Sequence, residues 1–162
     1  MFMIRTRLAK SRIKGAGLGV FTEEPVKKGQ LVWQWHNKID VELSFAELAK
    51  MPVAARENIY KYLWLRDPKK RKLTLCADLG SFVNHSDTPN LSDGGKGDGT
   101  SEYATRDIPA GTELTCDYNS FDDAALIGVP TKGKPRTPSP HYDFVPVIEE
   151  MARKLESRKK SG

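Results

Sequence analysis

Three short segments of this 162-residue chain concentrate the residue types that can do chemistry. The first, residues 14–22, places three glycines at alternate positions ahead of a strand-like run. The second, residues 81–90, leads from an apolar pair into an Asn-His pair and ends at a Pro-Asn pair. The third, residues 104–118, is a tight turn followed by a strand that ends at Tyr118. Alternate glycines let a backbone approach a neighbour closely, and polar groups beside apolar ones must find partners.

Each segment taken alone also has a plain structural interpretation. The glycine segment lacks the preceding strand and following helix of a dinucleotide site. Asn84 and His85 could be satisfied turn residues, and a tyrosine that ends a strand is often an amphipathic edge residue. The other two histidines lie far from His85 in the sequence, and the two cysteines, Cys76 and Cys116, lack metal-site spacing. We therefore predict no metal site and no disulfide framework.

Short β-branched and aromatic runs recur between glycines and prolines, which predicts a mostly β core. These runs are IRTRL, GVFT, LVWQW, LTLC, EYAT and ELTCDY. The glycine-rich stretch at 92–101 cannot pack a core and predicts a flexible hairpin tip.

Helical signals occur at two places in the chain. Ser44 can cap a helix while Glu47 reaches back to it, and this helix should end near Pro52. A second helical piece is plausible over 54–62. Beyond a Pro/Gly/basic linker at 128–140, an apolar stripe predicts a C-terminal helix at about 144–159 that packs on its own domain. The stripe consists of Phe144, Ile148, Met151 and Leu155.

The charge is unevenly distributed along the chain. The net charge is +5, yet residues 73–125 carry two basic residues against ten acidic ones. An acidic centre suits a basic peptide partner better than nucleic acid. No apolar segment approaches the roughly 20 residues that a membrane span requires, and the basic N-terminus does not resemble a signal peptide. We expect a soluble, cytoplasmic protein of one domain without a membrane partner.

In this order the three segments resemble the SET-domain family of protein lysine methyltransferases. The family's signatures are a G-x-G segment, an R-F-x-N-H-S-x-x-P-N block and an E-L-T-x-D-Y block, and the resemblance covers roughly residues 5–121. Residues 24–32 are similar to the family's strand, Lys-Gly, strand step, which residues 107–114 repeat.

The resemblance implies a mostly β SET fold of small twisted, β-clip-like sheets with a knot-like C-terminal crossing, in which the segment holding Tyr118 passes beneath the Asn84-His85 loop. It implies a SET domain at 1–121 with a variable, partly helical insert at about 40–75. A C-terminal flanking segment at 122–162 follows.

The resemblance also implies an activity, the transfer of methyl groups from S-adenosylmethionine to the ε-amine of a lysine in a basic protein, with S-adenosylhomocysteine as product. Tyr118 is the implied catalytic residue. The implied cofactor-binding residues are Gly15, Ala16, Gly17, Leu18, Asn84, His85 and Phe121. The implied substrate channel contains Tyr62, Cys116 and Tyr118.

Two departures from the family pattern affect the expected site. Asp87 stands where zinc-containing members have a cysteine, and no cysteine follows Tyr118. Something else must then close the pocket, and we expect Phe121 or an aromatic residue of the tail, Tyr142 or Phe144. Cys116 stands where the family usually has Phe or Tyr, and the smaller side chain suggests room for di- or trimethylation.

Two other functions stay open on the sequence. One is a binding module of the same fold that has lost catalysis and keeps its cofactor or peptide site. The other is a basic nucleic-acid-binding β protein that uses residues 69–72 together with Arg5, Arg7, Lys10, Arg12 and Lys14. A secreted effector or a nuclear protein of a host would carry the same residues, and the oligomeric state is not indicated.

Overall fold

The computed structural model describes residues 1–67, 72–95, 99–120 and 145–160, which form ten short strands and three α-helices. The strands are β1 Thr6–Lys10, β2 Leu18–Thr22, β3 Leu31–Gln34, β4 Val41–Ser44, β5 Leu63–Asp67, β6 Lys72–Leu75, β7 Asn84–His85, β8 Leu91–Ser92, β9 Ser101–Ala104 and β10 Thr115–Cys116. The helices are α1 Phe45–Lys50, α2 Val53–Ile59 and α3 Val145–Lys160. The predicted mostly β fold with a short helical insert and a C-terminal helix is confirmed.

The strands form four small sheets rather than one large one. β1 and β2 pair antiparallel, as do the neighbours in the orders β3-β9-β8 and β4-β6-β5. β7 and β10 form a parallel pair. A parallel pair requires a long connection between its strands, so this two-residue pairing brings together segments that are about 30 residues apart in the sequence.

The two similar strand, glycine, strand steps lie against each other. Val26 and Ile108 exchange two backbone hydrogen bonds of 2.9 and 2.8 Å, and both side chains are buried. Gly29 and Gly111 turn the chain at φ of 80° and 76°, a region that favours glycine. Val26 and Ile108 thus help to fill the main β core, which also contains Val20, Val32, Leu91 and Leu114.

The predicted capping box at the start of the insert helix is present. The Ser44 hydroxyl accepts a hydrogen bond from Glu47 N, and the Glu47 carboxylate accepts one from Ser44 N at 2.7 Å. α2 and a 3₁₀ turn at Tyr60–Tyr62 follow, close to the predicted second helical piece. The sequence analysis missed β4 and β5, which flank β6 in a sheet of the insert's own. The β4 segment at residues 41–44 is short and leads directly into a helix cap. Its strand conformation therefore depends on pairing with β6 rather than on its own sequence pattern.

The C-terminal helix α3 packs on the insert, as its apolar stripe predicts. Ile148 and Ala152 are buried in a second core with Phe45, Leu48 and Leu73, while Met151 and Leu155 pack around it. Phe144 and the predicted linker at 128–140 lie outside the described residues.

Candidate active site

The parallel pair β7-β10 is the point at which two of the three chemistry-bearing segments meet. Asn84 lies opposite Thr115, and His85 lies opposite Cys116. Asn90 secures this arrangement, because its side chain accepts from Thr115 N at 2.9 Å and donates to Glu113 O at 2.7 Å. Asn90 is buried and its amide is satisfied on both sides, as buried polar groups require.

The amide of Asn84 joins the glycine segment to this pair. Its Nδ2 donates to Leu18 O at 2.9 Å and to Glu113 Oε1 at 3.0 Å. The buried Glu113 carboxylate also accepts from Ser11 Oγ at 2.6 Å and from Arg12 N at 2.8 Å. The Glu113 carboxylate of the third segment thereby contacts Asn84 of the second segment and the two residues, Ser11 and Arg12, that lie just before the glycine segment.

The glycine segment is a loop with a closely packed base and an open tip. A Cβ on Gly19 would lie 2.2 Å from Glu113 Oε1, so a side chain there would displace the Asn84–Glu113 connection. Gly15 and Gly17 have φ of 85° and 76°, and a Cβ on either would meet nothing within 4 Å among the described residues. The loop therefore presents open backbone, and Ser11 N donates to Gly17 O at 2.9 Å across its neck.

His85 has both ring nitrogens engaged within the protein. Nδ1 accepts from Tyr118 N at 3.2 Å, so it carries no proton, and Nε2 is left to donate to Asp87 Oδ1 at 3.1 Å. The histidine thus fixes the backbone of Tyr118. Neither a metal nor a base function is needed to explain its position.

An apolar pocket of about 90 Å³ opens beside this pair. Its wall includes Trp33, Tyr62, Trp64, Glu102, Cys116 and Tyr118. The Tyr118 hydroxyl donates to Val83 O at 2.6 Å, which fixes the ring at the boundary between the pocket and the β7-β10 pair. Tyr62 packs edge-on against Phe82 with ring centroids 5.5 Å apart.

The two cysteines both line this pocket, and neither is a nucleophile at neutral pH. Burial raises the pKa of Cys76 to about 12. Complete burial raises the pKa of the Cys116 thiol well above its usual value, and the neighbouring Glu102 and Asp117 carboxylates add to the effect. The reactive form of cysteine is the thiolate, so the predicted role of Cys116 in the channel cannot depend on its nucleophilicity.

The site residues predicted from the sequence fall into two adjoining groups. The loop containing Gly15, Ala16, Gly17 and Leu18 contacts Asn84 through Leu18 O, and His85 is the neighbour of Asn84 on β7. Tyr62, Cys116 and Tyr118 line the apolar pocket. Phe121, Tyr142 and Phe144, the predicted closing residues, lie outside the described residues, and the knot-like crossing stays a prediction.

The basic residues of the nucleic-acid alternative are partly engaged with the protein itself. Arg5 Nε lies 3.0 Å from Glu24 Oε2. The Arg7 and Arg12 guanidinium groups stack over the Phe21 ring at 5.2 and 5.4 Å. All three arginines stay exposed to solvent, so these contacts do not exclude the nucleic-acid alternative.

Two acidic residues of the site were missed from the sequence. Glu113 was not singled out within the third segment, because its position between Thr112 and Leu114 gives no sign of burial. Glu102 stands in the run EYAT, where a glutamate normally faces water, yet its side chain lines the apolar pocket. The acidic excess over residues 73–125 was the available signal, but it does not distinguish a buried carboxylate from an exposed one.

Over the residues that the structure describes, no helix combines the length and apolar character of a membrane span. Within the same ranges, no three His, Cys, Asp or Glu side chains group closely enough to hold a metal ion.

The fold and site define a class of small β proteins in which a parallel strand pair joins an open glycine loop to an apolar pocket. The sequence model of the SET domain family matches residues 17–119. The chain therefore belongs to the SET domain family. No curated protein matches it in sequence.

Solved structures share this fold at low sequence identity. An active polycomb repressive complex 2 in its basal state is 22% identical over 71% of this chain and 15% of that chain, with a TM-score of 0.53. A humanized mutant of the Chaetomium thermophilum polycomb repressive complex 2 with a bound inhibitor is 18% identical over 94% of this chain and 22% of that chain, with a TM-score of 0.54.

A third structure, ctPRC2 in an autoinhibited conformation bound to S-adenosylmethionine, is 19% identical over 97% of this chain, with a TM-score of 0.54. This chain spans only 17% of that protein's length.

Proposed function

We propose that this protein transfers methyl groups from S-adenosylmethionine to the ε-amine of a lysine in a basic protein segment. The observation that supports the proposal most is the position of Tyr118, which lines the apolar pocket and whose backbone N–H is bonded to His85, the neighbour of the residue that contacts the glycine loop. Membership of the SET domain family supports the same reaction.

The glycine loop and the Asn84-His85 pair fit a cofactor with a charged, hydrogen-bonding end. Gly15 and Gly17 leave room at their Cβ positions for another molecule to reach the backbone, and substitution of either is opposed by its positive φ. Asn84 Nδ2 is committed to Leu18 O and Glu113, so this side chain would shape the site rather than bind through its nitrogen. Bound there, S-adenosylmethionine would supply an electrophilic methyl group on a sulfonium.

Tyr118 would position the reacting amine by accepting hydrogen bonds. Its hydroxyl proton is given to Val83 O, so its oxygen can act toward the pocket only through lone pairs. Those lone pairs suit an amine N–H or a polarised C–H group. Holding the nitrogen in line with the methyl group contributes to the rate because an aligned, near-contact geometry lowers the entropic part of the barrier.

The aromatic part of the pocket wall would make a lysine ammonium easier to deprotonate once it has entered. A lysine ammonium has an ordinary pKa near 10.4, and its charged form is disfavoured in a dry, aromatic channel. Trp33, Tyr62 and Trp64 supply that surface. Cys116 adds little bulk to it, which supports a product with more than one methyl group.

The test is a transfer assay with radiolabelled S-adenosylmethionine on histones and on a mixed protein lysate, followed by mass-spectrometric mapping of the modified lysines. Wild-type protein should label a basic protein. Binding of the cofactor without transfer to any protein would instead favour the inactive binding module, and salt-sensitive binding to DNA without cofactor binding would favour the nucleic-acid alternative.

Tyr118→Phe tests the proposed catalytic residue. The variant should bind the cofactor normally and lose roughly 100-fold or more in transfer rate, because the acceptor that orients the amine is gone. Tyr103→Phe is the matched control, since Tyr103 lies on β9 and is not among the described residues that line the pocket. Equal activity of the two variants would refute the role of Tyr118.

A further inference from the structure

Glu102 is a carboxylic acid in the wall of the apolar pocket. It lies on β9, paired across the sheet with Trp33, and shares the pocket wall with Cys116 and Tyr118. Its Oε2 atom is buried and has no hydrogen-bond partner among the described residues. A buried carboxyl oxygen without a hydrogen-bond partner destabilises the folded protein unless a ligand forms a hydrogen bond with it.

The surroundings of Glu102 favour its protonated form while the pocket is empty. Burial, with a contribution from the Asp93 carboxylate, raises the pKa of Glu102 to about 8. The other titratable groups around the pocket that the structure describes are Lys61, Tyr62, Cys76, Cys116 and Tyr118. Lys61 directs its Nζ to the Tyr62 ring, 4.8 Å from the ring centroid, and burial raises the pKa of both cysteines above the usual range.

A cation is the ligand that such a group suits best. Aromatic rings form much of the pocket wall, and its acidic group would form a strong, charge-assisted contact with an ammonium. The ammonium of an entering lysine side chain is a group of this kind. The carboxyl also lies near Cys116, which precedes Tyr118 by two positions.

We propose that Glu102 is a further catalytic residue, which binds the lysine ammonium in the channel and accepts its proton before methyl transfer. This inference rests on the proposed methyltransferase function. In the step, an O–H bond forms on the Glu102 carboxylate and one N–H bond of the ammonium breaks. The electron pair of that bond stays on nitrogen, which becomes the nucleophile, and Glu102 returns the proton to solvent after the product leaves.

The pH profile of kcat/KM distinguishes this role from a structural one. The proposed step requires an ionised Glu102 in the free enzyme and a protonated free lysine. Log kcat/KM should therefore rise with unit slope at low pH and level off near pH 8, where Glu102 becomes ionised. It should then stay level up to about pH 10.4, the ordinary pKa of lysine. Glu102→Gln should need only the rare neutral lysine, so its profile should rise through pH 8 without a break. Near neutral pH it should be about 100-fold slower, as expected for loss of a positioned base.

Three further measurements make the test decisive. Cofactor binding and thermal melting of Glu102→Gln, measured first, establish that the variant is folded. Asp93→Asn should move the break of the profile to lower pH, because it removes a neighbouring charge that raises the pKa of Glu102. Glu42→Gln, a change at a carboxylate that pairs with Lys72 on the insert sheet, should leave the profile unchanged.

The possible failures are separable. A wild-type protein that binds cofactor but methylates nothing overturns the proposed function itself. A wild-type protein that methylates, with a Glu102→Gln variant that keeps both the rate and the break near pH 8, overturns the role of Glu102 alone. An infrared carboxyl band that titrates near pH 8 in wild type and is missing in Glu102→Gln supports the role without relying on activity.

Discussion

The ion pair between Arg56 and Glu149 should carry much of the attachment of α3 to the insert. Arg56 donates through Nε and Nη2 to the two carboxylate oxygens of Glu149, at 2.9 and 2.6 Å. It also donates to Met51 O at 2.6 Å, and Tyr60 donates its hydroxyl to Glu149 at 2.6 Å. The Arg56 side chain is only 3% exposed, so its charge has little water to return to.

Arg56→Met tests this ion pair, and the expected loss of stability follows from the contacts that the substitution removes. Each hydrogen bond to a charged group contributes about 1.5–3 kcal/mol, and three are lost. Glu149 offsets part of the loss because its side chain is 33% exposed and can be rehydrated. We expect a decrease of about 3 kcal/mol in the free energy of unfolding, at the lower end of what breaking a buried pair costs. Arg56→Lys should recover little of it, because an ammonium cannot form the bidentate contact.

The same helix provides a matched control. Lys154 and Glu150 approach to 2.6 Å, as close as the buried pair, but their side chains are 69% and 58% exposed. Lys154→Met should therefore leave the free energy of unfolding almost unchanged. Urea unfolding followed by circular dichroism and by tryptophan fluorescence measures both variants. If Arg56→Met and Lys154→Met had equal effects, the argument from burial would be refuted.

Two other changes probe the pocket. Burial raises the pKa of Glu102 from 4.5 to about 8, so between these pH values the folded protein keeps a proton that the unfolded chain releases. The contribution of this group to stability is therefore complete below about pH 4.5 and is lost as the pH rises through 8. At 1.36 kcal/mol per pKa unit, the loss is at most about 5 kcal/mol. The melting temperature of Glu102→Gln should accordingly rise relative to that of the wild type between about pH 5 and about pH 9, and a constant difference would contradict the burial of this carboxyl. Cys116→Tyr should restrict the product to monomethyl-lysine, because a phenol would fill much of the 90 Å³ pocket; mass spectra that show unchanged higher methylation would exclude this role.

Local signals in the sequence predicted those parts of the fold that depend on local chemistry. The Ser44–Glu47 capping box and the stripe containing Ile148 were readable because each involves side chains a few residues apart. The insert sheet was harder to predict, since β4 and β5 are held by β6 between them rather than by their own residues.

The site divides in the same way. The segments holding Gly15 to Leu18, Asn84 and Tyr118 were recognised by their resemblance to a family, and the functions of these residues stay predictions. The burial of Glu102 could not be predicted from the sequence, because the packing around a strand decides whether its glutamate faces water or a pocket. The backbone partner of Asn84, Leu18 O, was equally unreadable, since the contact joins residues 66 positions apart.

The C-terminal helix and the apolar pocket are linked through one short turn. In the 3₁₀ turn Tyr60–Tyr62, Tyr60 is bonded to Glu149 of α3, while Tyr62, two residues later, packs on Phe82 and lines the apolar pocket. A helix held by a buried arginine thus supports this wall of the pocket from behind. Loosening α3 should then disturb the position of Tyr62 before it disturbs the glycine loop, which is tied separately to β10 through Asn84 and Glu113.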